Sequence, residues 1–316
     1  MRISEIIGHE REINALCASF KGNRFAHAYL FAGPDGVGKR MAARAYAAFL
    51  NCTAGLDDSC GVCRSCVAVA SGAHQNVIEI WPTDKDGDKD LNGLIKVDAI
   101  RDVQSRLRCR IESGMKVVIV EAADRFMPQA ANAFLKTLEE PPEATVIFLV
   151  TARPFALLPT VLSRCQRVNF APLDVKKVVD YLVDKKSYPS SEAGLAVRMS
   201  EGSISKAMAW LDDGQGMLRL QLAEALGRLT GQDADQALRL ADELSKRDDI
   251  DEALEAFKVW YRDMAVACNK GGASHEILRA IACYSAINAA QEEIRPPRNA
   301  NKLLAMETLV LKLAGR

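Results

Sequence analysis

The sequence lacks a charge excess. Its 316 residues hold 41 Lys and Arg against 41 Asp and Glu, and the balance holds on both sides of residue 170. No part is a polybasic tail, so any nucleic-acid contact has to come from local patches or from partners. No apolar run reaches membrane-spanning length, so no membrane partner is expected. The opening residues, MRISEIIGHERE, lack the apolar core of a signal peptide. Nine cysteines without a secretory signal point to a reducing, cytoplasmic setting, and to thiols or metal ligands rather than disulfides. The length suggests two or three domains.

A hydroxyl is missing where one is expected. Gly33-Pro34-Asp35-Gly36-Val37-Gly38-Lys39 reads G-x-x-x-x-G-K, with the apolar run 28–32 before it and an Ala-rich helical stretch, 41–50, after it. Strand, glycine loop and helix form the context of a phosphate-binding P-loop. Gly33, Gly36 and Gly38 free the backbone to turn its N–H groups toward an anion, the helix N-terminus adds a favourable dipole, and Lys39 reaches the β/γ-phosphates. The next position normally supplies Ser or Thr to Mg²⁺. Here it is Arg40, which carries a fixed charge and no acceptor.

A second shortage lies at the end of the apolar run 117–120, which reads as a central parallel strand. A P-loop ATPase needs a metal-orienting acid there and an adjacent water-polarising one. Glu121 can serve the first role, but Ala122 cannot serve the second, and Asp124 lies three residues beyond Glu121. With the metal hydroxyl and the base both absent, hydrolysis by this chain is not expected, because phosphoryl transfer depends on positioned charge.

The remaining strand signals are 77–81 and 146–150. Alternating with helical stretches at 1–22, Val97–Leu107 and 130–140, they indicate an α/β domain with a parallel sheet. After Phe170 the pattern turns helical. Two or three short helices occupy 171–213, and longer ones are expected at 217–229, 234–246, 250–268, 274–290 and 299–314. The run Asp84–Asp90 fails as a calcium loop, because Gly falls at position 4 and position 12 is Ile95; it reads as a solvated loop. Arg101, Arg106, Arg108 and Arg110 line the polar side and exit of a helix. A solvated face and a phosphate-contacting patch both fit them.

Cys52, Cys60, Cys63 and Cys66 are spaced C-x₇-C-x₂-C-x₂-C. That spacing suits a closed tetrahedral structural zinc site, although four ordinary reduced thiols also fit; His74 is a weaker alternative ligand.

The motifs combine in one order. His27-Ala28-Tyr29-Leu30-Phe31 precedes the P-loop and the four-cysteine insert follows its helix. Then come the run from Asn132 to Pro142 (NAFLKTLEEPP) and Leu162-Ser163-Arg164-Cys165. This order resembles bacterial DNA polymerase III clamp-loader subunits of the AAA+ family. The resemblance implies an AAA+ P-loop domain over 1–170 carrying the cysteine insert at 52–66, a small helical lid domain at 171–214, and an all-helical collar domain at 215–316. Two kinds of subunit share that plan: the ATP-hydrolysing gamma/tau motor, and the delta-prime subunit with a degraded nucleotide site. Arg40, Ala122 and Ser205, the last at a position where motors carry a phosphate-sensing arginine beside Lys206, all depart toward delta-prime. The resemblance then implies weak or absent ATP binding and Arg164 acting in trans as an arginine finger. It also implies gamma/tau and delta partners in a pentameric ring that sets a sliding clamp on primed DNA. DNA would be met mainly through phosphates, with Arg101, Arg106, Arg108 and Arg110 as candidates. The alternatives are a hydrolysing motor that uses Glu121 and Asp124, and a zinc-dependent nucleic-acid adaptor with a vestigial P-loop.

Overall fold

The computed structural model describes the chain except for residues 1, 23, 55–56, 92, 112, 201, 213, 215–233, 248, 272–273, 295–300 and 315–316. The helix expected at 217–229 lies outside the described residues. The chain divides into two compact units, one formed by 1–187 with 201–206 and the other by 188–200 with 207–316.

The first unit is built on a five-stranded parallel sheet. Its strands are β1 (Ala28–Ala32), β2 (Val77–Ile80), β3 (Lys116–Val120), β4 (Thr145–Thr151) and β5 (Gln166–Asn169), in spatial order β2-β3-β4-β1-β5. The register sets Ala28 opposite Ile147 and Lys116 opposite Thr145. Strands β1, β3 and β4 are buried on both faces, which is why they read as unbroken apolar runs. The edge strand β5 buries only Val168, so no apolar run announced it.

Helices α1 (Glu10–Lys21), α2 (Lys39–Leu50), α3 (Arg64–Ser71), α4 (Val97–Arg108), α5 (Pro128–Glu139), the single turn α6 (Pro159–Leu162) and α7 (Val175–Lys186) complete the unit. On one sheet face Leu30, Val118, Ile147 and Leu149 pack with Ile100 and Leu107 of α4 and Phe134 and Leu138 of α5. On the other, Tyr29 and Phe148 stack 5.8 Å apart and Tyr46 of α2 joins them at 6.2 Å from Phe148. Fully burying one such side chain is worth about 1.5–3 kcal/mol. The helical stretch expected over residues 1–22 is interrupted: Gly8 and His9 adopt left-handed backbone, and α1 begins only after them.

In the second unit α8 (Ser190–Met199), α9 (Ile204–Asp212, which begins in the first unit), α10 (Ala234–Ser245), α11 (Ile250–Gly271), α12 (Ser274–Ile294) and α13 (Lys302–Leu313) enclose a core that includes Leu254, Phe257, Ile287, Met306 and Leu309. No helix among the described residues is long and apolar enough to cross a membrane.

Candidate functional site: the phosphate loop and the carboxyl edge of the sheet

The parallel strands deliver the site residues to one edge. β1 leads into the loop, β3 ends beside Glu121 and β4 ends on Thr151. Gly33 has no room for a side chain, because a Cβ there would lie 2.0 Å from the Phe170 carbonyl oxygen. Gly36 and Gly38 take φ of +76° and +100°, conformations that L side chains rarely adopt. Lys39 opens α2 and is buried; its Nζ donates to the Gly33 carbonyl at 2.6 Å and the Pro34 carbonyl at 2.5 Å. Burial holds the Lys39 ammonium below its ordinary range, against the pull of Asp35, Glu121 and Asp124.

Arg40 is tied into a charge cluster. Its guanidinium lies 4.2 Å from the centre of the Trp81 ring. Its Nε is 3.6 Å from Glu121 Oε1, and a terminal nitrogen is 4.0 Å from Glu79 Oε2. Arg44, one turn along, pairs with Glu79 Oε1 at 2.8 Å. That contact is a close ion pair without hydrogen-bond alignment, since neither atom has a hydrogen-bond partner. Glu121 is buried and its Oε1 also has no hydrogen-bond partner. Burial pushes its carboxyl up to about 7; Arg40 resists that rise and Glu79 adds to it.

The residues beyond Glu121 are committed elsewhere. Ala122 sits at φ +44°, in left-handed backbone. Asp124 accepts from Thr151 Oγ1 at 2.6 Å and from Arg153 Nε at 3.0 Å, so this acid braces the ends of two strands rather than standing free as a base. Ser203 and Ser205 abut the loop: a Cβ on Gly36 would fall 2.1 Å from Ser203 Oγ, and the Ser205 amide approaches the Gly36 carbonyl at 3.5 Å. Lys206 is exposed. A pocket of about 880 Å³ opens beside these groups, with Lys39, Arg40, Glu121 and Arg153 on its wall.

The four cysteines converge. The sulfurs of Cys52, Cys60, Cys63 and Cys66 all lie within 4.8 Å of one another. Local backbone arranges them: Cys63 caps α3 by accepting from the Cys66 amide at 3.4 Å, and Cys60 Sγ accepts from the Cys63 amide at 3.3 Å. The Cys66 amide, foremost, holds the Cys63 thiol down at about 5, whereas burial pushes Cys66 up to about 12. The donor set fits a four-coordinate zinc and leaves no open position. Both ring nitrogens of His74 are engaged, Nε2 with Ser65 Oγ at 2.8 Å and Nδ1 accepting from the Asn76 amide at 3.1 Å. That removes His74 as an alternative ligand. In the acidic run that fails as a calcium loop, Asp84 Oδ1 caps its own turn by accepting from the Asp86 and Asp88 amides at 2.9 Å each.

Arg164 follows α6. It donates to the Thr160 carbonyl at 2.9 Å and pairs with Glu139 Oε1 at 2.6 Å. Two stretches singled out separately in the sequence, the one ending Leu138-Glu139-Glu140 and Ser163-Arg164-Cys165, therefore meet in space. Beside Arg164, Cys165 is buried enough to push its thiol up to about 12. Arg101, Arg106, Arg108 and Arg110 are all exposed on and after α4, and Arg101 pairs with Asp98 at 3.2 Å. Sequence reasoning missed Glu79, Trp81, Glu139, Thr151 and Arg153. A polar residue closing a buried strand was the one available signal, and it applied to Thr151.

A parallel sheet in this strand order, with the G-x-x-x-x-G-K loop after its fourth strand in space and an acid ending the second, defines an AAA+ P-loop fold. The family described as "DNA polymerase III, delta subunit" matches residues 8–174, just over half of the chain. The chain belongs to this DNA polymerase III clamp-loader family. It is 33% identical over 218 residues to DNA polymerase III subunit tau of Bacillus subtilis, covering 67% of this chain and 37% of the relative. It is also 33% identical over 251 residues to DNA polymerase III subunit tau of Escherichia coli, covering 76% and 37%. With DNA polymerase III subunit delta' of Bacillus subtilis the identity is 36% over 181 residues, covering 57% and 52%. The chain thus spans about a third to a half of the length of these curated relatives.

Proposed function

We propose that this chain is a non-hydrolysing, delta-prime-type subunit of the clamp loader. In this reading a ring of five subunits, with gamma/tau and delta neighbours, sets a sliding clamp on primed DNA in the cytoplasm. Residues 1–170 are its AAA+ domain, 171–214 its lid and 215–316 its collar. The observation that carries the reading is the Arg40 guanidinium, 3.6 Å from Glu121, in the space between phosphate loop and strand-end acid that a divalent metal needs. Magnesium does not fit that arrangement. Ala122 offers no base, and Asp124 is spoken for by Thr151 and Arg153.

The chemistry this chain contributes is then Arg164, placed in the ATP site of a neighbouring motor subunit. A trans arginine stabilises charge on the transferring phosphoryl group and is worth about 10³–10⁵ in rate where such fingers act. Its restraint supports the role. The Glu139 partner is about half exposed, and surface pairs of that kind hold by only about 0–1 kcal/mol. Cys52, Cys60, Cys63 and Cys66 would hold a zinc ion that cross-links the insert and takes no part in phosphoryl transfer.

Steady-state ATPase of the chain alone tests the first part; robust turnover that Glu121→Ala abolishes would sink it. In a reconstituted loader, Arg164→Ala should depress DNA- and clamp-stimulated ATPase while assembly stays intact, and unchanged stimulation would remove the finger role. The identity to tau subunits over more than two hundred residues favours a hydrolysing motor as the second reading. The same ATPase measurement separates the two.

A further inference from the structure

Residues 2–5 are fastened to the cysteine insert. Asp58 takes two of their amides: its Oδ1 accepts from Ile3 at 2.9 Å and its Oδ2 from Ser4 at 3.0 Å. The Arg2 guanidinium donates to the Cys60 carbonyl at 2.8 Å. Gly61 keeps space for that arm, since a Cβ there would lie 3.3 Å from Arg2 Nε. Between these bonds Ile3 is buried, in a 3-10 turn, Ile3–Glu5, that lies against α2.

Both acceptors belong to one end of the loop that Cys52 and Cys60 bracket. The ends of that loop meet through sulfur, the Cys60 amide donating to Cys52 Sγ at 3.4 Å. Between the two cysteines Leu56 is the single large apolar residue in the sequence, so a core of its own cannot hold the loop shut. A metal on the four sulfurs can, because binding energy at such a site is folding energy. Asp58 holds two amides only as firmly as the loop holds Asp58: an acceptor that wanders must be ordered again each time the bonds form.

We propose that the metal-loaded insert is the catch for residues 2–5. Metal on Cys52, Cys60, Cys63 and Cys66 fixes Asp58 and the Cys60 carbonyl in place, and its loss lets the segment go. The proposal rests on the zinc reading of the four cysteines. It gives the metal reach beyond its own ligands, because the segment continues through Gly8 to His9, whose Nε2 lies 3.0 Å from the Val37 carbonyl oxygen. The coupling is reciprocal: a docked segment holds zinc more tightly by the factor by which zinc holds the segment.

The test is hydrogen exchange of the full chain, read by mass spectrometry, with zinc loaded and after its removal by a chelator under reducing conditions. Elemental analysis of each sample establishes its metal state. Removal should speed exchange in the peptide carrying Ile3 and Ser4 by about tenfold or more while β1 and β3 stay protected. Asp58→Ala should speed exchange in the same peptide with zinc still bound. Competition with a chromogenic chelator should show its zinc affinity lowered by a comparable factor. If Asp58→Ala does not fold, Arg2→Ala, which removes the bond to the Cys60 carbonyl, carries both measurements. Unchanged exchange once zinc is gone, exchange that rises equally in β1 and β3, or parental zinc affinity in a variant whose segment is released would each overturn the proposal. A chain that takes up no zinc defeats the metal reading itself, whereas a zinc-binding chain whose exchange ignores the metal defeats only this inference.

Discussion

Replacing Glu121 with Gln should stabilise the first unit at alkaline pH and leave it nearly unchanged in acid. The buried Glu121 carboxyl titrates at about 7, against an ordinary 4.5. Between those values the folded chain holds a proton that the unfolded chain has released, so stability is full below about pH 4.5 and falls as pH rises toward and through 7. At about 1.4 kcal/mol per pH unit, the displacement amounts to about 3 kcal/mol of lost stability once the group is ionised. That figure already includes the attraction of Arg40, which opposes the effect of burial. The amide in Glu121→Gln is neutral at every pH, so the variant should gain up to about 3 kcal/mol over the parent at pH 8 and close to nothing at pH 4.5. Urea unfolding at the two pH values measures the difference. Trp81 lies against Arg40 in the first unit, whereas Trp210 and Trp260 lie in the second. Changing the latter two to Phe in both proteins therefore leaves a fluorescence signal that follows the sheet unit alone. Other groups titrate in both proteins and cancel in the comparison. A difference that does not change with pH, or a variant less stable than the parent at pH 8, would refute the reasoning.

Gly33→Ala should cost about 1–3 kcal/mol or more in urea unfolding, because its Cβ meets the Phe170 carbonyl oxygen at 2.0 Å and that partner is backbone. Gly38→Ala meets nothing within 4 Å and should cost only the left-handed backbone strain, about 1–2 kcal/mol, so the order of the two is itself a check. Asp124→Asn should destabilise by about 1–3 kcal/mol through the loss of its charged contact with Arg153, read by the same unfolding assay. Elemental analysis should return one zinc per chain for the parent and none for Cys63→Ser. Zinc affinity should weaken as pH falls, since Cys66, whose thiol sits at about 12, must give up its proton to bind metal.

The elements that the sequence disclosed are those where one residue type dominates a short stretch. Strands β3 and β4 announced themselves as apolar runs because both of their faces are covered. α5 stopped near its Pro-Pro pair, and α2 and α13 ended within a residue or so of expectation. The phosphate loop and the cysteine cluster were legible because their spacing is local. Contacts between distant segments were not. Nothing in residue 40 taken alone indicates Trp81, and nothing in residue 164 indicates Glu139, 25 positions earlier; both pairings depend on the order in which the strands lie side by side. β5 was hidden for a different reason. At that edge of the sheet only Val168 is buried, and Gln166, Arg167 and Asn169 face solvent.

Helix α2 joins the two parts of the first unit that differ most in chemistry. It starts at the glycine loop, and the chain reaches Cys52 just past its last turn. Its twelve residues make a rod of about 18 Å, and Arg44 midway along it ties α3 down through the Val69 and Ala70 carbonyls at 2.9 and 3.2 Å. The sulfur cluster is thus the far bearing of the shaft that carries Lys39. Whatever fixes the four thiols therefore also fixes the far end of the helix that presents Lys39 to the loop.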